Sequence, residues 1–241
     1  MYNKLDVYAH RGASSTATEN TMAAFEEARL LGATGVELDV HFSSDNVPVV
    51  FHDESLQRMT GVRKVITEVT IKELMKLKQG NRFTRRILGN RITLFQEVAQ
   101  WAEQYAIPLN VELKPTMVGN EQAILDFLHT LDLPKGSHIS SFDEVLLATV
   151  RRERPDIAVA LLATKATDWE ALKDKDIQFV HAHKRHYKPE KVQQVEKAGL
   201  TMRLYGIEGT EDFLAKPHET IAGYITDYPE QVLAAIKKVK R

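Results

Sequence analysis

The chain has 241 residues, of which 43% are hydrophobic and 27% charged, the ordinary balance of a folded globular protein rather than a disordered one. Its 32 Lys and Arg nearly cancel its 33 Asp and Glu, so the net charge of −1 gives no overall attraction for nucleic acid or an anionic membrane. The chain has no cysteine, which excludes disulfides, thiolate metal sites and cysteine nucleophiles and leaves carboxylates, carbonyls and imidazoles as metal ligands.

The amino terminus shows no targeting signal. Its first ten residues, MYNKLDVYAH, lack the apolar core of a signal peptide, and no stretch approaches the roughly eighteen apolar residues of a membrane-spanning helix. We therefore expect a cytoplasmic protein with no stable membrane insertion.

Short apolar, β-branched runs alternate with stretches of helical periodicity along the chain. The predicted strands are DVYA, GVELDVHF, VPVVFH, PLNVEL, SHISSF, IAVALLA, QFVHAH, LTMRLY and GYIT. The predicted helices are NTMAAFEEARLLG, TLFQEVAQWAEQY, GNEQAILDFLHTL, DEVLLATVRRER, KPEKVQQVEKAG and DYPEQVLAAIKKVK. This order indicates a parallel sheet flanked by helices, either an open doubly wound sheet or a closed eight-stranded barrel.

Two features modify this alternation. The second and third predicted strands are separated only by SSDN, too short for a crossover helix, so we expect a hairpin-like extension there and about eight strand–helix units in all. The basic, turn-rich segment from Gly61 to Ile92 contains one predicted helix at 71–77. We interpret it as an insertion over the active face of a single domain covering residues 1–241.

Alternation along two of the strands places carboxylates on one face. Glu37 and Asp39 share a face of GVELDVHF, and Glu112 lies with Lys114 on one face of LNVELK. Carboxylates inside a barrel are costly unless a cation compensates them. Three of them predict a site for one hard divalent cation, Ca²⁺ or Mg²⁺, with Mn²⁺ as a further candidate. The alternative is a buried salt-bridge network that pairs Glu112 with Lys114 and Glu37 with Arg11.

Two histidines end apolar strands, His10 in VYAH and His52 in VVFH. Strand-end histidines are often structural, but two imidazoles on either side of a metal-bound phosphate supply a general acid and a general base. Arg11 offers bidentate anion recognition and Lys114 a point charge, which together suit a phosphoryl group. This combination indicates phosphoester cleavage.

The motifs AHRG, TENT, GVELDV, VPVVFHDESLQRMTG, TLFQEV, LNVELK, SSF and GYITDYP, in this order, resemble the glycerophosphodiester phosphodiesterase family. The resemblance runs from about residue 7 to residue 230. It implies a TIM (β/α)8 barrel with a small insertion after the second strand, and a hydrolase of small-molecule glycerophosphodiesters. It leaves the oligomeric state open, with a homodimer as one alternative.

The resemblance also implies roles for particular residues. The metal ligands are Glu37, Asp39 and Glu112, the acid–base pair is His10 and His52, the phosphate is held by Arg11 and Lys114, and supporting positions are Glu19 and Asn20. The chain departs from the family pattern at Thr18, usually Pro, at Ala222, often Asp, and in the seventh strand. There Tyr205 stands at a Trp position and Glu208 at an Asn position, which affects substrate preference most.

The expected reaction is metal-dependent hydrolysis of a glycerophosphodiester to an alcohol and sn-glycerol 3-phosphate by His/His acid–base catalysis. A lysophospholipase D-like or sphingomyelinase D-like enzyme is the close alternative, and it would need an apolar surface for an acyl chain. A non-catalytic ligand-binding barrel is the alternative from another class, but binding alone does not require two opposed proton carriers.

Overall fold

The computed structural model of the protein describes residues 5–83 and 85–239. Lys240, the last residue of the final predicted helix, lies outside the described residues. Eight parallel strands close into a barrel, with each strand paired to the next and the eighth paired to the first. The strands are β1 (Asp6–His10), β2 (Gly35–Phe42), β3 (Leu109–Leu113), β4 (His138–Ser141), β5 (Ala158–Leu162), β6 (Phe179–His183), β7 (Thr201–Tyr205) and β8 (Ile221–Thr226). The closed-barrel prediction is confirmed, and the open sheet is excluded.

Six helices follow barrel strands, as the sequence predicted. They are α1 (Met22–Leu30), α2 (Phe95–Tyr105), α3 (Glu121–Thr130), α4 (Glu144–Glu153), α5 (Pro189–Lys197) and α6 (Pro229–Val239). Side-chain caps fix two of the starts, because Thr21 accepts from the Ala24 N–H and Asp143 accepts from the N–H groups of Val145 and Leu146. The crossovers β5–β6 and β7–β8, both described throughout, contain single 3₁₀ turns at Ala171–Asp174 and Asp212–Ala215 instead of α-helices.

The predicted hairpin extension is present. Pro48–Val50 pairs antiparallel with the end of β2, and Thr93–Leu94 pairs with it in turn. The chain between these two strands holds short helices at Gln57–Thr60, Ile71–Leu74 and Arg85–Leu88, and a two-residue ladder between Lys78–Gln79 and Asn90–Arg91. This region has its own small apolar core, formed by Val49, Phe51, Leu56, Ile66, Val69, Leu74 and Ile92.

Strand alternation divides the barrel into an apolar outside and a polar inside. In β2, Val36, Leu38 and Val40 belong to the main hydrophobic core, while Glu37 and Asp39 occupy the intervening positions. Because all eight strands are parallel, their carboxyl ends meet at one end of the barrel, which we call the active face.

Candidate active site

Three carboxylates from neighbouring strands meet near the active face. The register pairs Asp39 of β2 directly with Glu112 of β3, and Glu37 lies two residues earlier on the same side. One oxygen of each carboxylate lies within 4.8 Å of the other two, and all three residues are buried. The structure therefore brings together the trio that the sequence nominated as metal ligands.

Two cationic side chains lie against this carboxylate cluster. The Lys114 ammonium is 2.6 Å from Asp39 Oδ1 and 2.5 Å from Glu112 Oε1, and Arg11 Nε is 3.3 Å from Asp39 Oδ2. Glu37 accepts a hydrogen bond from the backbone N–H of Arg11 at 2.9 Å. The predicted Glu112–Lys114 ion pair therefore exists alongside the carboxylate cluster. For Glu37, the contact with Arg11 is through the backbone.

The three carboxylates differ in how well they are compensated. Burial, reinforced by Asp39, raises the pKa of Glu37 to about 8. Burial also opposes the ionisation of Asp39, but Lys114 and Arg11 outweigh it and hold the pKa of that carboxyl below its usual range. Among the described residues, Glu37 Oε1 has no hydrogen-bond partner. An under-compensated set of three hard oxygen donors fits a divalent cation such as Ca²⁺, Mg²⁺ or Mn²⁺.

Each of the two predicted catalytic histidines is oriented by a carboxylate. His10 ends β1, and its Nδ1 lies 2.7 Å from Asp227 Oδ1, an oxygen that also accepts from the Ser14 hydroxyl. His52 follows the Pro48–Val50 strand, and its Nδ1 lies 2.7 Å from Asp53 Oδ1. A carboxylate at Nδ1 fixes the tautomer and leaves Nε2 for a substrate. Both histidine side chains are about one-third exposed, so a substrate can reach them.

The two imidazoles have pKa values shifted in opposite directions. Burial lowers the pKa of His10, but Glu37 and Asp227 outweigh burial and raise it above 6.5. For His52, burial and the positive charge of Lys114 lower the pKa, and Asp39 raises it. Burial is the largest of these effects, so the pKa of His52 falls below 6.5. The two imidazoles therefore differ in proton affinity, with His10 the more basic of the two.

An ion-pair chain connects the second histidine to the predicted phosphate-binding arginine. Arg58 donates from Nε and Nη2 to Asp53 at 2.5 and 3.0 Å and from Nη1 and Nη2 to Glu19 at 2.8 and 2.7 Å. Glu19 also accepts from Arg11 at 3.0 Å. The supporting role expected for Glu19 therefore has a physical basis, because this carboxylate holds two guanidinium groups at the mouth of the site.

Asn20, the residue after Glu19, contacts the carboxylate cluster through Asp39. Its side-chain amide donates to Asp39 Oδ2 at 2.7 Å, and its backbone adopts a φ of 56°. Arg11 has a similar φ of 57°. Non-glycine residues in the left-handed region are uncommon and concentrate at functional sites, where the surrounding contacts enforce them. Gly12 has a φ of 82°, and a Cβ there would lie 2.6 Å from the backbone of Ala24, so only glycine fits this turn.

His41 braces the His52 backbone. Its Nδ1 lies 2.6 Å from Thr116 Oγ1, and its Nε2 lies 3.1 Å from the carbonyl oxygen of His52. Burial lowers the pKa of His41 to about 4, so it is neutral. Although it shares the inward face with Glu37 and Asp39, both ring nitrogens are engaged in these contacts.

Tyr205 and Glu208 occupy different environments. Tyr205 ends β7, packs edge-on against His183 at a ring distance of 5.4 Å, and has its pKa raised by burial. Arg185 opposes this shift and Glu112 adds to it. Glu208 pairs with Lys184 at 2.9 Å and is more than half exposed. Its charge is therefore compensated at the rim.

Asp53, Arg58 and Asp227 all lie within the motifs quoted above, but the sequence assigned none of them a role. The available signals were positional. Asp53 directly follows His52, and Asp227 directly follows β8, the strand that pairs with β1. No role for Arg58 could be read from the sequence, because its contact with Glu19 spans 39 residues and depends on the tertiary structure, although Asp53 lies only five residues away.

Comparisons with known proteins agree with this geometry. The model of the "Glycerophosphoryl diester phosphodiesterase family" matches residues 10–231. A glycerophosphodiester phosphodiesterase of Caldanaerobacter subterraneus is 30% identical over 237 residues, covering 96% of this chain and 98% of the relative.

Solved structures give the same result. An Oleispira antarctica phosphodiesterase in complex with its product sn-glycerol-3-phosphate superimposes with a TM-score of 0.85 at 28% identity, covering 96% of both chains. A glycerophosphodiester phosphodiesterase from Thermotoga maritima gives 0.77 at 25% identity, covering 97% of this chain and 99% of that one. Within the described residues, no helix combines the length and the apolar character needed to cross a bilayer.

Proposed function

Because the chain belongs to the glycerophosphoryl diester phosphodiesterase family, we propose that it hydrolyses a glycerophosphodiester to an alcohol and sn-glycerol 3-phosphate, using a divalent cation and the pair His10 and His52. The observation that carries this proposal is the arrangement of the two histidines. Each has a carboxylate on Nδ1 and an exposed edge, and Glu37 of the buried carboxylate cluster lies 3.9 Å from His10 Nε2.

The carboxylate cluster would hold the cation through Glu37, Asp39 and Glu112. When bound, such an ion polarises a phosphoryl oxygen and offsets the charge that develops on it. Arg11 and Lys114 add fixed positive charge at the same place, the first with a fork of N–H donors and the second with a compact ammonium. Glu19 and Asn20 keep these groups in position.

The two imidazoles then divide the proton transfers. One accepts a proton from the attacking oxygen as it bonds to phosphorus, and the other donates a proton to the oxygen of the departing alcohol as its bond to phosphorus breaks. Tyr205 forms an aromatic wall beside this space. The product side of the reaction is supported by the Oleispira relative, which was solved with sn-glycerol-3-phosphate.

A direct test combines a substrate panel with metal exchange. The purified protein is assayed on glycerophosphocholine, glycerophosphoethanolamine and a lysophospholipid, before and after chelation and with Ca²⁺, Mg²⁺ or Mn²⁺ added back. We expect activity on the first two substrates, loss with chelator and recovery with one of the ions. Activity unaffected by thorough chelation would refute the metal role, and a preference for the lysophospholipid would favour the lysophospholipase D-like alternative.

The histidine roles are tested by substitution. We expect His10→Ala and His52→Ala each to lower kcat by about 10²- to 10⁴-fold. Metal affinity measured by calorimetry should stay close to that of the unmodified protein. His129→Ala is the matched control, because His129 lies on α3 with 58% of its side chain exposed. Near-normal turnover by either of the two catalytic variants would remove that histidine from the mechanism.

A further inference from the structure

We propose that the active face docks peripherally on an anionic phospholipid surface, with Phe83 and Ile87 entering the interface and the basic residues of segment 61–92 contacting lipid phosphates. The docking can be measured without substrate, so it does not depend on which ester the site cleaves.

The exposed apolar side chains are concentrated on the active face. Among the described residues, eight large hydrophobic side chains are exposed, and six of them lie in strand-to-helix connections or in the first turn of the following helix: Phe83, Ile87, Val118, Phe142, Val145 and Tyr228. The other two, Leu30 and Tyr105, end α1 and α2 at the opposite end of the barrel. Single exposed apolar residues are ordinary, but the concentration of six of these eight at one end of the molecule indicates an interaction surface.

Phe83 and Ile87 are the most prominent of the six. They are 88% and 89% exposed, far more than Phe142 or Tyr228. They stand four residues apart, Ile87 being on the short Arg85–Leu88 helix, and Arg82 and Arg85 flank Phe83 in the sequence. Apolar side chains bordered by arginines are typical of segments that lie in the headgroup region of a bilayer.

The charge of this region complements an anionic surface. Residues 61–92 contain nine Lys or Arg and two Asp or Glu, a net charge of +7, whereas the rest of the chain has 23 Lys or Arg and 31 Asp or Glu, a net charge of −8. Within the described part of the chain, the exposed side chains without an ion pair in this segment include Arg63, Lys72, Lys76, Lys78 and Arg82. Each free cation near a membrane surface adds about 1 kcal/mol of attraction, or roughly fivefold in affinity.

The segment is attached directly beside the catalytic groups. The Gly80 N–H donates to the carbonyl of Met59 at 3.1 Å. Met59 follows Arg58, the residue that joins Asp53 and Glu19 in the site. A surface bound through Phe83 would therefore lie next to the mouth of the barrel. This placement suits an enzyme whose phosphodiesters arise from phospholipids by loss of acyl chains.

A lipid surface explains the combination better than nucleic acid does. Nucleic acid would use the arginines, but Phe83 and Ile87 would then stay in water without a partner, and aliphatic Ile87 offers no stacking face for a base. A bilayer takes up both kinds of side chain at once.

The test is co-sedimentation with vesicles of equimolar phosphatidylcholine and phosphatidylglycerol, compared with phosphatidylcholine alone. We expect binding to the mixed vesicles that weakens at high salt. Phe83→Ser combined with Ile87→Ser should weaken it by about tenfold or more, and Lys76→Glu combined with Arg82→Glu by about 25-fold or more. Leu30→Ser and Lys197→Glu, both at the opposite end of the barrel, are matched controls that should bind as the unmodified protein does.

Hydrolysis of glycerophosphocholine in solution separates this proposal from the proposed function. The Phe83/Ile87 double variant should retain it, because neither residue touches the site. Failure of the unmodified protein to bind mixed vesicles would overturn the docking proposal, as would binding that survives both double variants. Retention on immobilised DNA without vesicle binding would also overturn it and would indicate a nucleic-acid partner instead.

Discussion

The barrel interior contains two layers of inward-facing side chains that differ in how they treat charge. The upper layer, at the active face, consists of Glu37, Asp39 and Glu112 with Arg11 and Lys114 against them. The lower layer, nearer the amino ends of the strands, consists of Tyr8, His138, Phe179, His181 and Arg203. Both layers arise from the same alternation of inward positions along parallel strands.

The lower layer avoids charge except at one residue. Its two imidazoles pack edge to face with their ring centres 5.1 Å apart, and burial lowers the pKa of both well below 6.5. Arg203 pairs with Asp6 at 3.1 Å, and its guanidinium carbon lies 4.1 Å from the Phe179 ring centre and 5.3 Å from that of Tyr8. Aromatic faces stabilise a cation in such surroundings.

The difference shows what each layer is suited to do. In the upper layer, three carboxylates lie close together. Their mutual repulsion is unfavourable for stability but suits the binding of a cation, and the two partly exposed histidines beside them are accessible to a phosphate ester. In the lower layer, the ionisable groups are neutral or enclosed, so they serve the packing of the barrel. We therefore expect substitutions above to affect turnover and substitutions below to affect stability.

The largest expected effect is on turnover in the upper layer. Glu112→Gln should lower kcat by about 10³-fold, because it removes a proposed ligand from a site that contributes several kcal/mol to the transition state. Its free energy of unfolding should change by less than about 1 kcal/mol, since burial raises the pKa of Glu112 and disfavours its charged form. Steady-state kinetics and urea denaturation measure the two quantities. A stability loss that matches the loss of activity would contradict the division between layers.

The next effect is on stability in the lower layer. Asp6→Ala should cost about 1.5 to 2 kcal/mol of unfolding free energy, because it removes the charge-assisted hydrogen bond to the buried Arg203 guanidinium from a carboxylate that is partly exposed. Adding Arg203→Met should recover part of that loss by removing the unpaired charge, while kcat stays within about twofold of the unmodified value. A double variant less stable than Asp6→Ala would show that the guanidinium is stabilised by its aromatic contacts alone.

A smaller effect is expected where a carboxylate orients a catalytic group. Asp227→Asn should lower kcat by about 10- to 100-fold with little change in KM, because His10 loses the partner that fixes its tautomer. The inflection of the pH–rate profile that reports His10 should move to lower pH, since Asp227 helps to raise the pKa of His10 and the neutral amide does not. Ser14→Ala, which removes the hydroxyl on the same carboxylate oxygen, is the mild control. An unchanged profile would assign Asp227 a structural role only.

The smallest effect concerns acid stability. His181 is neutral in the folded protein, with His138 and Arg203 facing it, and its pKa lies below the unfolded value of 6.5. Below pH 6.5 the unfolded chain binds a proton at His181 that the folded chain does not. The contribution of His181 to the free energy of unfolding is therefore complete above pH 6.5 and is lost as the pH falls below it. His181→Leu should reduce this slope and change stability at pH 8 by less than about 1 kcal/mol. Equal slopes in urea titrations from pH 8 to pH 5 would contradict this account.

Much of the fold followed from local patterns. The eight barrel strands, the Pro48–Val50 strand and the six helices α1 to α6 were predicted because β-branched runs and 3.6-residue periodicity are properties of short segments. The pairing of GVELDVHF with VPVVFH was predicted because four residues cannot form a crossover. The helix at 71–77 ends earlier, at Leu74, because a short surface helix has little packing to extend it.

The sequence by itself determined that Glu37, Asp39, Glu112 and His10 lie at inward positions of their strands and that His52 follows a strand end, and these five residues form the proposed site. A period of two is set by the backbone, and parallel strands necessarily gather their carboxyl ends at one end of the barrel. The tertiary structure alone decided the partners of these residues. Asp227 contacts His10 across 217 residues because β8 pairs with β1. Arg58 contacts Glu19 because the chain between the Pro48–Val50 and Thr93–Leu94 strands folds back beside the site. Such contacts depend on closure and on loop geometry, which no local pattern encodes.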